Sequence, residues 1–306
     1  MSLSFAFSRL LRALLTLLGV VSITFALSRL SGDPVSLMLP ETATLADREL
    51  LRAALGLDQP VLNQYLSYLR GLLQLDFGQS LAYVQPALKV IVERVPATLE
   101  LGLTALLLSV VLSVPLGIVA ALRRNSPADR LIMSFSLLGQ SLPPFVIGIL
   151  LILLFSVSLQ WLPSFGRDGP ASIVLPVATL TLYPLAFLIR LTRASVLDVI
   201  NQQYIRTAEA KGLLNRTVVL KHALRNALIP VITVAGMQLA GIVSGSAIVE
   251  TVFAWPGIGW LAVQSIRARD YPVIQGVVLI SSLAFSLVTL FVDIAYTFVD
   301  PRIRYS

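Results

Sequence analysis

The chain has no cysteine, which excludes disulfides, thiolate metal sites and thiol nucleophiles. Histidine occurs once, as His222 in a polar stretch, where local hydrogen bonding is expected rather than metal ligation. The phosphate-cradling pattern G-x-x-x-x-G-K-[ST] is absent, so the chain has no loop of that kind with which to hold and hydrolyse ATP. Charge is scarce as well: Asp, Glu, Lys and Arg make up 13% of 306 residues, against 56% hydrophobic residues and a mean hydropathy of +0.85. A soluble domain carries about a quarter charged residues, so a soluble domain is excluded.

What the sequence has in quantity is long apolar runs. Six are close to the roughly 20 residues a helix needs to cross a bilayer: 9–29, 97–122, 131–157, 173–190, 228–250 and 273–296. They are continuously apolar rather than alternating, which predicts helices and excludes a membrane β-barrel. The expected fold class is therefore all-α, a polytopic membrane protein with six transmembrane helices. Arg9 and Arg12 precede the first run, which is too long for a signal-peptide core and leads into SRLSGDP without a small-residue cleavage site; an uncleaved first helix is expected.

Charge then orients the chain. Placing both termini and the loops 123–130 and 191–227 on one side gathers fourteen basic residues there against four acidic ones, while the other side balances nine against nine. The basic side is expected to be cytoplasmic. The net charge of +7 thus reports orientation, and no nucleic-acid partner is needed to explain it. Four parts follow: an N-terminal segment and first helix at 1–30, an extracytoplasmic helical segment at 31–96, a five-helix core at 97–300 containing the cytoplasmic loop 191–227, and a cytoplasmic tail at 301–306.

In the extracytoplasmic segment, Thr44 and Asp47 predict a helix start and Gly56 its stop. Asp58 and Pro60 open a second helix, with Leu62, Leu66, Leu69 and Leu73 at helical spacing, fit either for a packed cap or for a docking surface. Prolines punctuate the spans: Pro115 in the second, Pro143 and Pro144 in the third, Pro176 and Pro184 in the fourth, and Pro230 opening the fifth. In lipid such sites persist only where neighbours satisfy the freed backbone, so they predict kinks.

The stretch 198–230 is the longest basic, polar interruption in the apolar second half. Thr207, Ala208 and Ala210 leave one side of a predicted short helix nearly smooth, Gly212 supplies its stop, and Tyr204, Arg206 and Lys211 surround it. A solvated loop and a docking helix both fit this pattern. Three acids, Glu100, Glu250 and Asp293, fall inside or at the edge of the spans, where ionisable groups are costly and face a bundle interior or a water-filled path. Glu100 and Glu250 suit such a path, whereas Asp293 suits a structural pairing near the cytoplasmic end.

The sequence YIRTAEAKG followed by HALRNALIPVIT resembles the cytoplasmic coupling signature of ATP-binding-cassette importer permeases of the peptide/nickel subfamily. The stretches SGDPV (31–35), LGLDQP (55–60), DFGQS (76–80), VPATLELG (95–102), VPLGIVAA (114–121), FAWPGIG (253–259), RDYPVIQG (269–276) and DPRIR (300–304) agree in the same order. The resemblance implies a type I importer permease fold in the bacterial inner membrane. It also implies four partners: a second homologous permease, two ATPase subunits that bind ATP and Mg, and an extracytoplasmic solute-binding protein. No cofactor is expected in this chain, and no enzyme activity of its own.

Against the general permease motif that begins EAA, Arg206, Thr207 and Ala208 take the three opening positions and Gly212 the glycine, so Glu209 is not the motif's acid. The resemblance assigns Tyr204, Ile205, Arg206, Thr207, Ala208, Glu209, Ala210, Lys211 and Gly212 to a coupling helix seated in a groove of the ATPase. Di- or oligopeptides are the expected substrates, with nickel or a metal chelate as the alternative. A secondary transporter should show an internal repeat with matched broken helices, and none is found. A membrane hydrolase would need a nucleophile and base converging in the spans, and no such set is seen.

Overall fold

The computed structural model describes residues 3–30, 35, 39, 42–54, 56–214, 217–243 and 247–299. Among these every regular element is helical: α1 (Leu3–Leu30), α2 (Leu45–Ala54), α3 (Val61–Leu73), α4 (Ala87–Val92), α5 (Val95–Leu122), α6 (Pro127–Ser141), α7 (Pro144–Leu151), α8 (Val174–Ile200), α9 (Gln203–Ala210), α10 (Leu224–Val243), α11 (Ala247–Val252), α12 (Ile258–Ala268) and α13 (Tyr271–Val299). Two π-helical turns, Ile152–Ser158 and Val218–Ala223, continue α7 and precede α10. Motifs 31–34 and 300–304 lie outside the described residues.

Among the described residues five helices are long and apolar enough to cross a membrane, with a sixth crossing only if one bent pair counts as a single span. That pair is the run expected at 131–157, bent at the prolines that predicted a kink. Helix α6 ends at Ser141, α7 begins at Pro144, and the two halves meet at 105°. The cause is local: Pro144 disfavours a helical conformation at Pro143, which is extended at φ −60°, ψ 141°, and each proline lacks an N–H for the ladder.

Two other boundaries move. Helix α8 continues to Ile200, so Arg190 and Arg193 stand on a helix rather than at a loop edge, and much of 191–227 is helical. Pro230 lies inside α10 instead of opening it, and of the expected run to 250 the described residues are α10 to Val243 and α11, which carries Glu250.

The chain divides into two compact units. The first comprises 97–256 and the chain from 284 onward. Helix α8 is its centre and is buried around much of its circumference, with Leu175, Val177, Leu185, Ala186, Leu188, Ile189 and Val196 all in the core. Helix α5 meets α8 along a stripe of small residues, Gly102, Ala105, Ser109, Ser113, Gly117 and Ala121. A Cβ on Gly117 would lie 2.5 Å from Cβ of Thr192, so only glycine permits that approach. Ser109 Oγ donates to the carbonyl of Thr181 at 3.2 Å, and Thr181 Oγ1 donates to that of Ala105 at 3.3 Å. Such interhelical bonds are worth about 0.6 kcal/mol each, so close packing carries more of the association.

The second unit comprises 2–96 and 257–283. Thr44 and Asp47 form the expected helix start as a reciprocal cap. Asp47 N–H donates to Thr44 Oγ1 at 3.2 Å, and the Thr44 N–H donates to Asp47 Oδ2 at 3.0 Å. The Thr44 hydroxyl, which donates to Asp47 Oδ2 at 2.7 Å, and after it the Thr44 N–H hold the Asp47 carboxyl below its ordinary pKa. Gly56 takes φ +64° after α2, the left-handed stop its position predicted.

Helix α3 begins after Pro60 as expected, but its leucine stripe is not the packed side. Leu62, Leu66 and Leu73 are exposed, while Tyr65 and Tyr68 pack on Phe25 of α1 at 5.2 and 5.7 Å between ring centroids. Ser22 and Tyr65 share a hydroxyl hydrogen bond of 2.7 Å.

The unit's core joins Phe77, Ile91, Ile258, Leu261, Val273 and Val277. Here two motifs far apart in sequence meet. The fully buried Asp270 accepts from Ser80 Oγ and from the Ala82 N–H, and a Cβ on Gly276 would lie 2.5 Å from Cδ1 of Ile91. DFGQS and RDYPVIQG are thus two halves of one packed corner.

Candidate functional site

The basic interruption folds as a short protruding helix. Helix α8 ends at Ile200, Gln202 turns the chain with extended backbone, and α9 runs from Gln203 to Ala210. Ile205 and Ala208 form its inner face, buried against Val199, Ile200, Val218 and Ala223. The outer face holds Tyr204, Arg206, Thr207, Glu209, Ala210 and Lys211, all exposed.

The smooth side expected from Thr207, Ala208 and Ala210 is therefore split. Ala208 supports the helix from beneath, and Thr207 and Ala210 face outward. Gly212 takes φ +76° with open space around it, so backbone conformation rather than crowding demands glycine there. Leu213 and Leu214 beyond it are exposed, and Leu214 at 77% extends the outer face past the predicted residues.

One hydrogen bond braces this helix: the Tyr204 hydroxyl accepts from Asn226 Nδ2 of α10 at 2.8 Å. Seven residues before the end of α8, Arg193 makes a bidentate ion pair with Asp129 of α6, with Nε to Oδ1 at 2.7 Å and Nη2 to Oδ2 at 2.9 Å. Asp129 is buried, and its carboxylate also accepts from the Asn125 N–H at 2.9 Å. One turn earlier on α8, Arg190 reaches the side-chain oxygen of Gln140. Two arginines thus strap α6 to α8, a pairing that sequence spacing could not reveal because the partners are 64 and 50 residues apart. His222 is half-buried in the π-helical turn, and the described residues contain no group of three or more metal-ligating side chains.

The acids separate into three environments. Glu250 on α11 is buried, and its Oε1 accepts from Thr98 Oγ1 of α5 at 2.8 Å. Its backbone carbonyl accepts from the N–H of Trp255, whose indole Nε1 donates to the Ala97 carbonyl at 2.8 Å. The FAWPGIG turn is therefore latched to the start of α5, with Trp255 fully buried.

Glu100, one turn further along α5, is exposed to 43% and pairs with Arg167, whose Nε lies 2.9 Å from Oε2. The Arg167 guanidinium also lies over the Trp255 ring at 5.7 Å. In the sequence Arg167 is one of the nine basic residues on the balanced side, with nothing beside it to mark its partner. Asp293 falls on α13, but its side chain lies outside the described residues.

Family models cover nearly the whole chain. "Binding-protein-dependent transport system inner membrane component" matches residues 113–305, and an N-terminal membrane component of such systems matches residues 2–102. The glutathione transport system permease protein GsiC of Escherichia coli strain K12 is 43% identical over 304 residues, covering 99% of both chains. The protein of that name from Shigella dysenteriae serotype 1 gives the same values. Among solved structures, the MetNI methionine ABC transporter in inward facing conformations aligns with 69% of this chain and 96% of its own at 21% identity, with a TM-score of 0.58. That likeness is one of fold.

Proposed function

The chain belongs to the family of inner-membrane components of binding-protein-dependent transport systems, as a permease subunit of an ATP-binding-cassette importer of the peptide/nickel subfamily, and we propose that it carries di- or oligopeptides. The protein is a multi-pass protein of the bacterial inner membrane, and its family is a membrane subunit rather than a catalytic domain. In the proposed complex it pairs with a second, homologous permease, receives substrate from an extracytoplasmic binding protein and draws energy from two ATPase subunits that hold ATP and Mg.

The observation that carries this reading is α9. It is a short helix whose inner face is fastened by Ile205 and Ala208 and whose outer face, Arg206, Thr207, Glu209, Ala210 and Lys211 with Leu214 beyond, is exposed. An ATPase groove is the partner we propose for that face. Closure of the ATPases then pushes on α9, and the Arg193–Asp129 ion pair passes the displacement from α8 to α6 as a rigid-body movement. Peptide transport is supported by the glutathione permeases that are 43% identical over full length. Their substrate's class is carried here as a proposal.

The test is uptake into proteoliposomes holding the full complex and its binding protein, with a labelled peptide mixture and with nickel, with and without a chelator. ATP-dependent peptide accumulation is expected. Nickel accumulation alone overturns the peptide reading, and uptake without ATP overturns the importer mechanism.

A further inference from the structure

The exposed face of α5 is apolar along its length, with Leu103, Leu107, Val111 and Val119 exposed, yet Glu100 heads it. A carboxylate in that position is costly against lipid and is expected to face a water-filled path. Its partner Arg167 is set on an anchored backbone. The Gly166 N–H donates to the Phe253 carbonyl at 2.9 Å, and the Arg167 guanidinium lies over the Trp255 ring. Asp168 beside it is exposed and adds negative charge on the same loop.

The two side chains are each 43% exposed, so water competes for both and the pair holds together weakly. When it opens, Arg167 keeps its seat on the indole, while Glu100 is fixed by the helix that carries it. The result is one anion and one cation, both solvent-accessible, with Arg167 resting on the fully buried Trp255.

We propose that Glu100 and Arg167 form a receptor for the two terminal charges of a zwitterionic short peptide, Glu100 taking the ammonium and Arg167 the carboxylate. This rests on the peptide reading above and adds to it the feature recognised. The entering peptide exchanges one weak internal pair for two charge-assisted contacts, on two side chains whose backbones stay where they are.

The experiment is ATP-driven uptake by the full complex at saturating binding protein, using a free dipeptide, its N-acetyl form and its C-terminal amide. Glu100→Gln is expected to lower uptake of the free dipeptide about tenfold while changing the N-acetyl form less than about twofold, and Arg167→Gln to do the same with the amide as the spared substrate. The doubly exchanged E100R/R167E, which restores an ion pair in reverse, is expected to stay about tenfold down. Equal losses on all three substrates, or recovery to wild-type uptake in the exchanged variant, overturn the receptor and leave a structural ion pair. Absence of ATP-driven uptake of any peptide by the unmodified complex overturns the peptide reading, and the receptor with it.

Discussion

Single residues divide according to which way α9 turns them. Ala208 is buried against Val218 and Ala223, so Ala208→Glu forces a carboxylate into an apolar contact with no cation supplied. It is expected to destabilise the solubilised complex and lower its melting temperature. Ala210→Trp, two residues on and exposed on the outer face, is expected to leave the melting temperature unchanged and reduce uptake and ATPase assembly together. If both variants melt alike and transport alike, the inner and outer faces assigned to α9 are wrong. At the other cluster, Thr98→Val keeps the shape of the side chain but removes a donor from the buried Glu250. A loss of about 1–3 kcal/mol is expected, read as a lowered unfolding midpoint in detergent, with Glu250→Gln milder because its amide oxygen still accepts from Thr98. His222, eye-catching as the only histidine, sits half-buried in a π-helical turn with no cluster of ligands around it among the described residues.

At the scale of elements, the two features that shape the first unit are the α5–α8 contact and the break between α6 and α7. Gly117→Val introduces a branched side chain where even a Cβ would lie 2.5 Å from Thr192, and overpacking of that kind costs about 1–3 kcal/mol. The prediction is impaired assembly, measured as a fall in complex recovered from membranes. The break is testable by distance, and the absence of native cysteine makes the labelling clean. Spin labels at Leu131 and Val157, both exposed, report the span across the 105° bend. In the double variant P143A/P144A a straightened helix would place them about 39 Å apart at 1.5 Å per residue. An unchanged, shorter distance in that variant assigns the bend to packing against α8 rather than to the prolines.

Across the whole molecule, orientation is the first property to establish. A single cysteine at Gln59, between α2 and α3, is expected to react with an impermeant maleimide from outside intact cells, and one at Leu214 only after the membrane is opened. Labelling of both from the same side overturns the proposed cytoplasmic placement of the termini and of α9, along with the extracytoplasmic placement of 31–96. The exposed surface agrees with a chain that is one subunit of several. Much of α1 and α5 carries large apolar side chains outward, including Leu14, Leu15, Ile23, Leu107 and Val111. Lipid or a second permease is needed to cover them, since water is a poor solvent for a continuous apolar face.

Composition and pattern alone determined the membrane class, the helical fold and a short polar helix ending before Gly212, though not where that helix begins. Each of these follows from local chemistry: apolar length sets a span, paired prolines interrupt one, and glycine with φ +76° ends α9. The family, too, was legible, because its motifs are contiguous stretches. Tertiary structure alone decided which face of α9 is free, that Tyr65 and Tyr68 rather than the leucines pack α3, and that Arg193 belongs to Asp129 and Arg167 to Glu100. Those pairs join residues 64 and 67 positions apart, and nothing in a charge's sequence neighbourhood states its partner across a bundle. Helical period tells which residues share a face, but only packing chooses the face that is buried.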